Sequence, residues 1–185
     1  RAGADCIQLE DQVSPKRCGH FNGKEVIEAS EMIGKIKAAC DARRNSDTII
    51  MARTDAAAIH GFDAAVERAQ AYAEAGADLL FVEAVTSAEH IAALPQRLKT
   101  PQLMNMVIGG KTPITSTEEL AKMGYGIVLY ANAALQGAVA GMQRALGVLK
   151  NEGHIQEDPN LVAPFAERQR LVNKPIWDAL EKKYQ

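Results

Sequence analysis

Ala75-Gly76-Ala77-Asp78 leads into Leu79-Leu80-Phe81-Val82-Glu83-Ala84, and the same four residues, Ala2-Gly3-Ala4-Asp5, lead into Cys6-Ile7-Gln8-Leu9-Glu10. In the later copy the glycine follows a stretch of helical period, Arg68 to Glu74, so it reads as the residue that closes a helix and turns the chain into a strand. By analogy, residue 1 falls at the tail of a helix, and the sequence begins in the middle of a strand-helix unit. Working outward, β-branched and apolar runs give strand candidates at Cys6–Glu10, Thr48–Arg53, Leu79–Ala84, Gln102–Met106 and Ile127–Ala131, each ending in polar residues. Between them Val26, Ile27, Met32, Ile33, Ile36 and Cys40 recur at helical spacing, as do Val66, Ala69, Tyr72 and Ala73, and then Leu135, Val139, Met142 and Leu146. Ser116 or Thr117 ahead of Glu118-Glu119-Leu120 marks a helix N-terminus, with acidic residues where the helix dipole favours them. The strands are apolar almost throughout rather than alternating, which predicts burial on both faces, as in a parallel sheet covered by helices.

Five such units starting in mid-unit fit the last five strand-helix units of an eight-unit (β/α)8 TIM-type barrel. The rival is a complete five-stranded doubly wound sheet. It lacks support where a phosphate-binding turn would stand, because Asp11-Gln12-Val13-Ser14-Pro15 is not glycine-rich. The expected organisation is residues 1–153 as the C-terminal part of one barrel and 154–185 as a helical extension.

The 185 residues carry 21 Lys+Arg and 23 Asp+Glu, a formal net charge of −2, which argues against nucleic-acid or polybasic membrane partners. With 47% hydrophobic and 24% charged residues the chain can bury a core. No apolar run approaches the roughly 20 residues of a membrane span, and the N-terminus shows no signal-peptide design, so a cytoplasmic or organelle-matrix location is expected. Three cysteines, Cys6, Cys18 and Cys40, are too few for a disulfide framework.

A barrel of this kind builds its site at the C-terminal ends of its strands. Those ends carry Glu10-Asp11, Arg53 with Asp55, Glu83, Asn105 and Asn132: carboxylates, a guanidinium and amides suited to a metal and an anionic, oxygen-rich ligand. In the loop Ser14-Pro15-Lys16-Arg17-Cys18-Gly19-His20 a cysteine sits among cations, which favours its thiolate and lets it give or take a proton. Gly19 and Gly23 leave the segment 12–24 free to bend over a substrate. Cys6 and Cys40 lie in apolar patterns and are expected in the core. Zinc at Cys18 and His20 lacks a second ligand pair.

Leu9-Glu10-Asp11-Gln12, Lys16-Arg17-Cys18-Gly19-His20, Ala52-Arg53-Thr54-Asp55-Ala56 and Ala75-to-Ala84, in that order, resemble the isocitrate lyase and phosphoenolpyruvate mutase superfamily, specifically its lyase branch. Asn105-Met106 with Gly109-to-Pro113 is similar to methylisocitrate and dimethylmalate lyases and to chains labelled carboxyphosphonoenolpyruvate phosphonomutase. The C-P mutase branch generally lacks the loop cysteine. The resemblance implies a lyase dependent on Mg²⁺, with Mn²⁺ as an alternative, that splits a 2-hydroxy di- or tricarboxylate into a 2-oxo acid and a succinate-like acid. It makes Cys18 the proton donor, with Lys16, Arg17 and His20 tuning it. Arg53, Glu83, Asn105 and Gly19 become substrate contacts, and Glu10 a member of the metal shell, through water. The family's direct metal aspartates lie on earlier strands than those present here. Alternatives are a phosphonomutase or an oxaloacetate decarboxylase on the same scaffold, or a non-catalytic fragment. Small or apolar residues near Asn105, Val107 and Gly109-Gly110, with Lys111 the one cation nearby, favour a dicarboxylate of the dimethylmalate type over methylisocitrate. Apolar anchors at Phe165, Leu171, Val172, Ile176, Trp177, Leu180 and Tyr184 suit either packing on the chain's own barrel or, by the resemblance, helices exchanged in a homotetramer built as a dimer of dimers.

Overall fold

The computed structural model describes residues 3–19 and 23–185. These divide into two compact units, residues 3–131 and 132–185, each described by itself. In the first, β1 (Cys6–Glu10), β2 (Ile49–Thr54), β3 (Leu79–Val82), β4 (Gln102–Asn105) and β5 (Ile127–Leu129) form one sheet in the order β1-β2-β3-β4-β5, every pair parallel. Helices α1 (Ala29–Ala42), α2 (Ala57–His60), α3 (Phe62–Glu74), α4 (Ala88–Arg97) and α5 (Thr117–Met123) fill the connections. A doubly wound sheet reverses its strand order at a switch point. This sheet never does, so the unit follows barrel order.

The repeat that opened the reading does what its glycine predicted. Gly76 follows the end of α3 at φ +112°, a left-handed conformation, and a Cβ there would lie 3.0 Å from Cys40 Sγ. Its earlier counterpart, Gly3, is also left-handed at φ +80°, with open space where a Cβ would stand. Ser116 caps α5: its Oγ accepts from Glu119 N–H while the Glu119 carboxylate accepts from Ser116 N–H, a reciprocal capping box.

Burial separates the two sheet faces by the strand period of two. Ala52, Leu80, Val82 and Met104 pack with Met32, Ile36, Val66, Tyr72, Ile91 and Leu120 of the helical layer, while Met51, Leu79, Phe81 and Leu103 form a second cluster on the other face. Burial on both faces therefore holds for β2 to β4. It fails for β1 and β5, where Cys6, Ile7, Ile127 and Leu129 are exposed because each outer strand has one neighbour among the described residues. Cys6, expected in the core, is exposed in this sheet, and Cys40 is only partly buried. Most strands also end sooner than apolar content predicts. β3 stops at Val82 because Ala84 takes φ +56°, a turn the runs of apolar side chains do not reveal.

In the second unit α6 (Ala133–Glu152), begun at Asn132 and closed by Gly153 at φ +73°, buries none of its residues. It exposes Leu135, Val139, Met142, Leu146 and Leu149. α7 (Phe165–Leu171) and α8 (Lys174–Tyr184) meet at a turn where Trp177 Nε1 donates to the Val172 carbonyl over 3.0 Å. Among the described residues no helix is long and apolar enough to cross a membrane.

Candidate active site

Strand register gathers the rim. Glu10 pairs with Arg53 across β1 and β2, Arg53 with Phe81 across β2 and β3, and Phe81 with Leu103 across β3 and β4. Two residues further along the same face come Asp55, Glu83 and Asn105. Parallel partners share a face, so this alternation stacks a polar layer on the apolar cluster of Met51, Phe81 and Leu103.

Arg53 is the hub. Its guanidinium lies 4.8 Å from the centroid of the Phe81 ring and donates from Nε to Asp55 Oδ2 (3.0 Å) and from Nη2 to Asp55 Oδ1 (3.2 Å). Nε also stands 3.1 Å from Glu10 Oε1, and Nη2 3.2 Å from Glu83 Oε2. Asn105 Nδ2 donates to Glu83 Oε2 over 3.4 Å. Glu83 is 1% exposed and turns Oε1 back to accept from the Ala84 N–H, which ties down the left-handed residue that ends the strand. Burial works against the Arg53 charge, but hydrogen bonding to Asp55 and the fields of Glu83, Asp55 and Glu10 outweigh it, so Arg53 is a fixed cation. Burial likewise raises the Asp55 carboxyl, yet bonds from Arg53 and Glu10 and the charges of Arg53 and Lys24 bring it below its ordinary value. Glu10 moves the opposite way: burial first, then its bond with Asp55, raise it against the pull of Arg53 and Lys16.

Behind the rim sits Asp11, fully buried and pointing the other way. It accepts from Thr54 Oγ1 (2.7 Å), Asp55 N–H (3.0 Å), Tyr72 OH (2.9 Å) and Arg68 Nη1 (3.4 Å). Arg68 Nη1 also donates to the Ile27 carbonyl over 2.8 Å. Burial, and after it the Asp11 charge, raise the Tyr72 phenol, which stays a neutral donor.

The structure brings Glu10, Arg53, Glu83, Asn105 and Gly19 together. A Cβ on Gly19 would stand 2.6 Å from Arg53 Nη2 and overlap the Glu83 side chain. Lys16 Nζ reaches Glu10 Oε2 at 3.3 Å while remaining half exposed, and the Gln12 amide joins Glu10 to the Arg17 carbonyl (3.2 and 3.0 Å). Cys18 and Arg17 are exposed on the loop, and His20 lies outside the described residues. Asp11, Tyr72, Arg68 and Lys24 hold the rim residues through contacts that spacing alone does not mark. Asp11 adjoins Glu10, but strand alternation, which sends neighbours to opposite faces, was the one signal available for its separate task.

Asn105 Oδ1 is buried without a hydrogen-bond partner among the described residues, an acceptor aimed at something that donates. A metal fits less well. Glu10 is engaged by Arg53 and Lys16, and no group of three or more His, Cys, Asp or Glu side chains is placed to hold an ion among the described residues. These residues do not form an inner metal shell. A concavity of about 860 Å³ lies at the opposite strand ends, beside Asp5, Ile7, Arg43 and Asn45, away from this chemistry.

A parallel sheet in barrel order, with a guanidinium held among three carboxylates at its carboxyl rim and a glycine loop pressed on it, defines an α/β protein with a buried polar cluster at the carboxyl ends of its strands. The family model described as phosphoenolpyruvate phosphomutase matches residues 1–149, and the chain belongs to the phosphoenolpyruvate mutase/isocitrate lyase superfamily. It is 46% identical over 184 residues to the 2,3-dimethylmalate lyase of Eubacterium barkeri, covering 100% of this chain and 64% of that protein. With the 2-methylisocitrate lyase of Aeropyrum pernix it shares 45% over 153 residues, 83% of this chain and 49% of that one. The solved complex of phosphonopyruvate hydrolase with oxalate and Mg++ superposes with TM-score 0.81 at 29% identity, covering 99% of this chain and 64% of that one. The chain thus spans about two thirds or less of the proteins it resembles.

Proposed function

We propose that the protein carrying this chain is a carbon-carbon lyase that cleaves a branched 2-hydroxy dicarboxylate, of the dimethylmalate type, into pyruvate and a propionate-like acid. The observation that carries the reading is the Arg53 cluster: a buried cation gripped by Asp55, Glu10 and Glu83 at the end of a strand, next to the unpartnered oxygen of Asn105. In the proposed step the substrate hydroxyl gives its proton to a general base outside these 185 residues, the bond to the neighbouring carbon breaks, and the electron pair passes into the carboxylate of the departing acid as an aci-carboxylate. Arg53 holds the anionic oxygens, the Asn105 amide orients the substrate through a donor on it, and Gly19 keeps the loop close enough to exclude water. The Cys18 thiol then delivers a proton to the carbanionic carbon, leaving a thiolate beside Lys16 and Arg17, with His20 assigned to the same task. Mg²⁺ belongs to the proposal as an ion held chiefly by groups outside these 185 residues, with Glu10 as an outer contact. A homo-oligomer joined through the C-terminal helices, in the cytoplasm or an organelle matrix, and the division at residue 153 complete it.

The assay is pyruvate release from dimethylmalate and from 2-methylisocitrate by the full-length protein with Mg²⁺, coupled to lactate dehydrogenase. Turnover of dimethylmalate at the higher kcat/KM is expected. Turnover of methylisocitrate alone refutes the substrate class, and release of phosphate from phosphonopyruvate with neither lyase activity refutes the reaction.

A further inference from the structure

Lys24 takes no part in the roles just proposed, yet its side chain is 2% exposed, a placement that costs a lysine dearly unless its ammonium is compensated. Two groups compensate it. Nζ donates to the Gly19 carbonyl, and it lies 3.7 Å from Asp55 Oδ1 on a carboxylate that is itself fully buried. Asp55 cannot drift: Arg53 holds both its oxygens, and Asp11 holds its N–H. At the other end, residue 19 rests against Arg53 and Glu83 so tightly that no side chain fits. One ammonium therefore joins an immovable carboxylate just past the end of β2 to the backbone of the Cys18 loop.

We propose that Lys24 is a tether, a positioning residue that holds the Gly19 carbonyl over Arg53 and Glu83 and so decides where the adjacent Cys18 stands. The part of this that concerns catalysis rests on Cys18 as proton donor. The tether itself does not. A lysine suits the position: its stem is long and apolar, its head is a compact charge, and its three donors let one group serve a carbonyl and a carboxylate together.

The test uses the full-length protein and trypsin, because Lys16 and Arg17 are exposed cleavage sites within the tethered loop. Lys24→Met keeps the stem and deletes the charge, and Lys24→Arg keeps charge and donors. Cleavage after Arg17, followed by mass, should speed up about tenfold in Lys24→Met, since proteolysis tracks the population of the open form, and Lys24→Arg should restore most of the protection. Cleavage elsewhere should hold, and kcat should fall with KM little changed. If Lys24→Met does not fold, Gly19→Ala, which drives the loop off Arg53 and Glu83 while leaving Lys24 in place, should show the same rapid cleavage. Unchanged cleavage after Arg17 in the folded variant overturns the tether even if the wild type proves an active lyase. Faster cleavage in a protein without lyase activity upholds the tether and sinks the reaction proposed above.

Discussion

Replacing Asp11 by asparagine tests whether the rim is held from behind. Three donors, Thr54 Oγ1, Tyr72 OH and Arg68 Nη1, converge on Oδ2, and the Asp55 N–H meets Oδ1. An asparagine has one oxygen to offer. Set at the Oδ2 position, it leaves its own NH2 facing the Asp55 N–H. Set the other way, its NH2 faces Arg68, which cannot accept, although the two hydroxyls can turn. The first orientation is the cheaper, and it strands a buried backbone N–H at about 1–3 kcal/mol. Arg68 also loses its only buried carboxylate while keeping the Ile27 carbonyl, and removing one member of a buried ion pair costs about 3–5 kcal/mol at the upper end. Equilibrium urea unfolding of the full-length variant should therefore show a loss of about 3 kcal/mol. Because Asp55 is freed, kcat/KM should fall as well. A double-mutant cycle with Arg68→Met should return a coupling above about 1 kcal/mol. A stability change under about 1 kcal/mol for Asp11→Asn would refute the account, since no arrangement of an amide satisfies all four donors.

Arg53→Lys should lower kcat/KM about 100-fold, because an ammonium cannot span Asp55 with two bonds while meeting Glu83; steady-state kinetics decide it. Cys18 should react fastest with a thiol reagent at pH 7, since burial and, after it, the Asp78 charge raise the Cys6 thiol, and Cys40 is partly covered; mass mapping of the labelled sites checks this, and Cys18→Ser should depress kcat far more than it alters KM. Glu119 supplies a pH test. Its folded pKa is lowered by the Ser116 side chain and backbone bonds, so its contribution is present above the ordinary glutamate value and lost as pH falls through the folded one. Urea unfolding of Glu119→Gln should show a deficit at pH 7 that vanishes by about pH 3.

The parts of this fold legible in sequence were those governed by one-dimensional physics. The Ala-Gly-Ala-Asp repeat marked the helix-to-strand turn because left-handed backbone demands glycine, and Ser116 with Glu119 marked a cap because the geometry is local. Glu10, Arg53, Glu83 and Asn105 could be gathered because parallel strands in sequence order bring successive strand ends to one rim. What stayed hidden depended on partners far away in the chain. Cys6 reads as core and is exposed, since among the described residues β1 pairs with β2 alone. Lys24 carries no signal of its own in the sequence, and only the approach of Gly19 and Asp55, five residues back and 31 ahead, makes it a buried cation. Asp11 and Glu10 are neighbours in the chain with opposite duties. The pleat sends Glu10 to the face that carries Arg53 and Asp11 into the helical layer, where it holds the Asp55 N–H. Rigidity at the rim is therefore drawn from the helices: Tyr72 and Arg68 of α3 fix Asp11, Asp11 fixes Asp55, and Asp55 fixes both the guanidinium and, through Lys24, the loop.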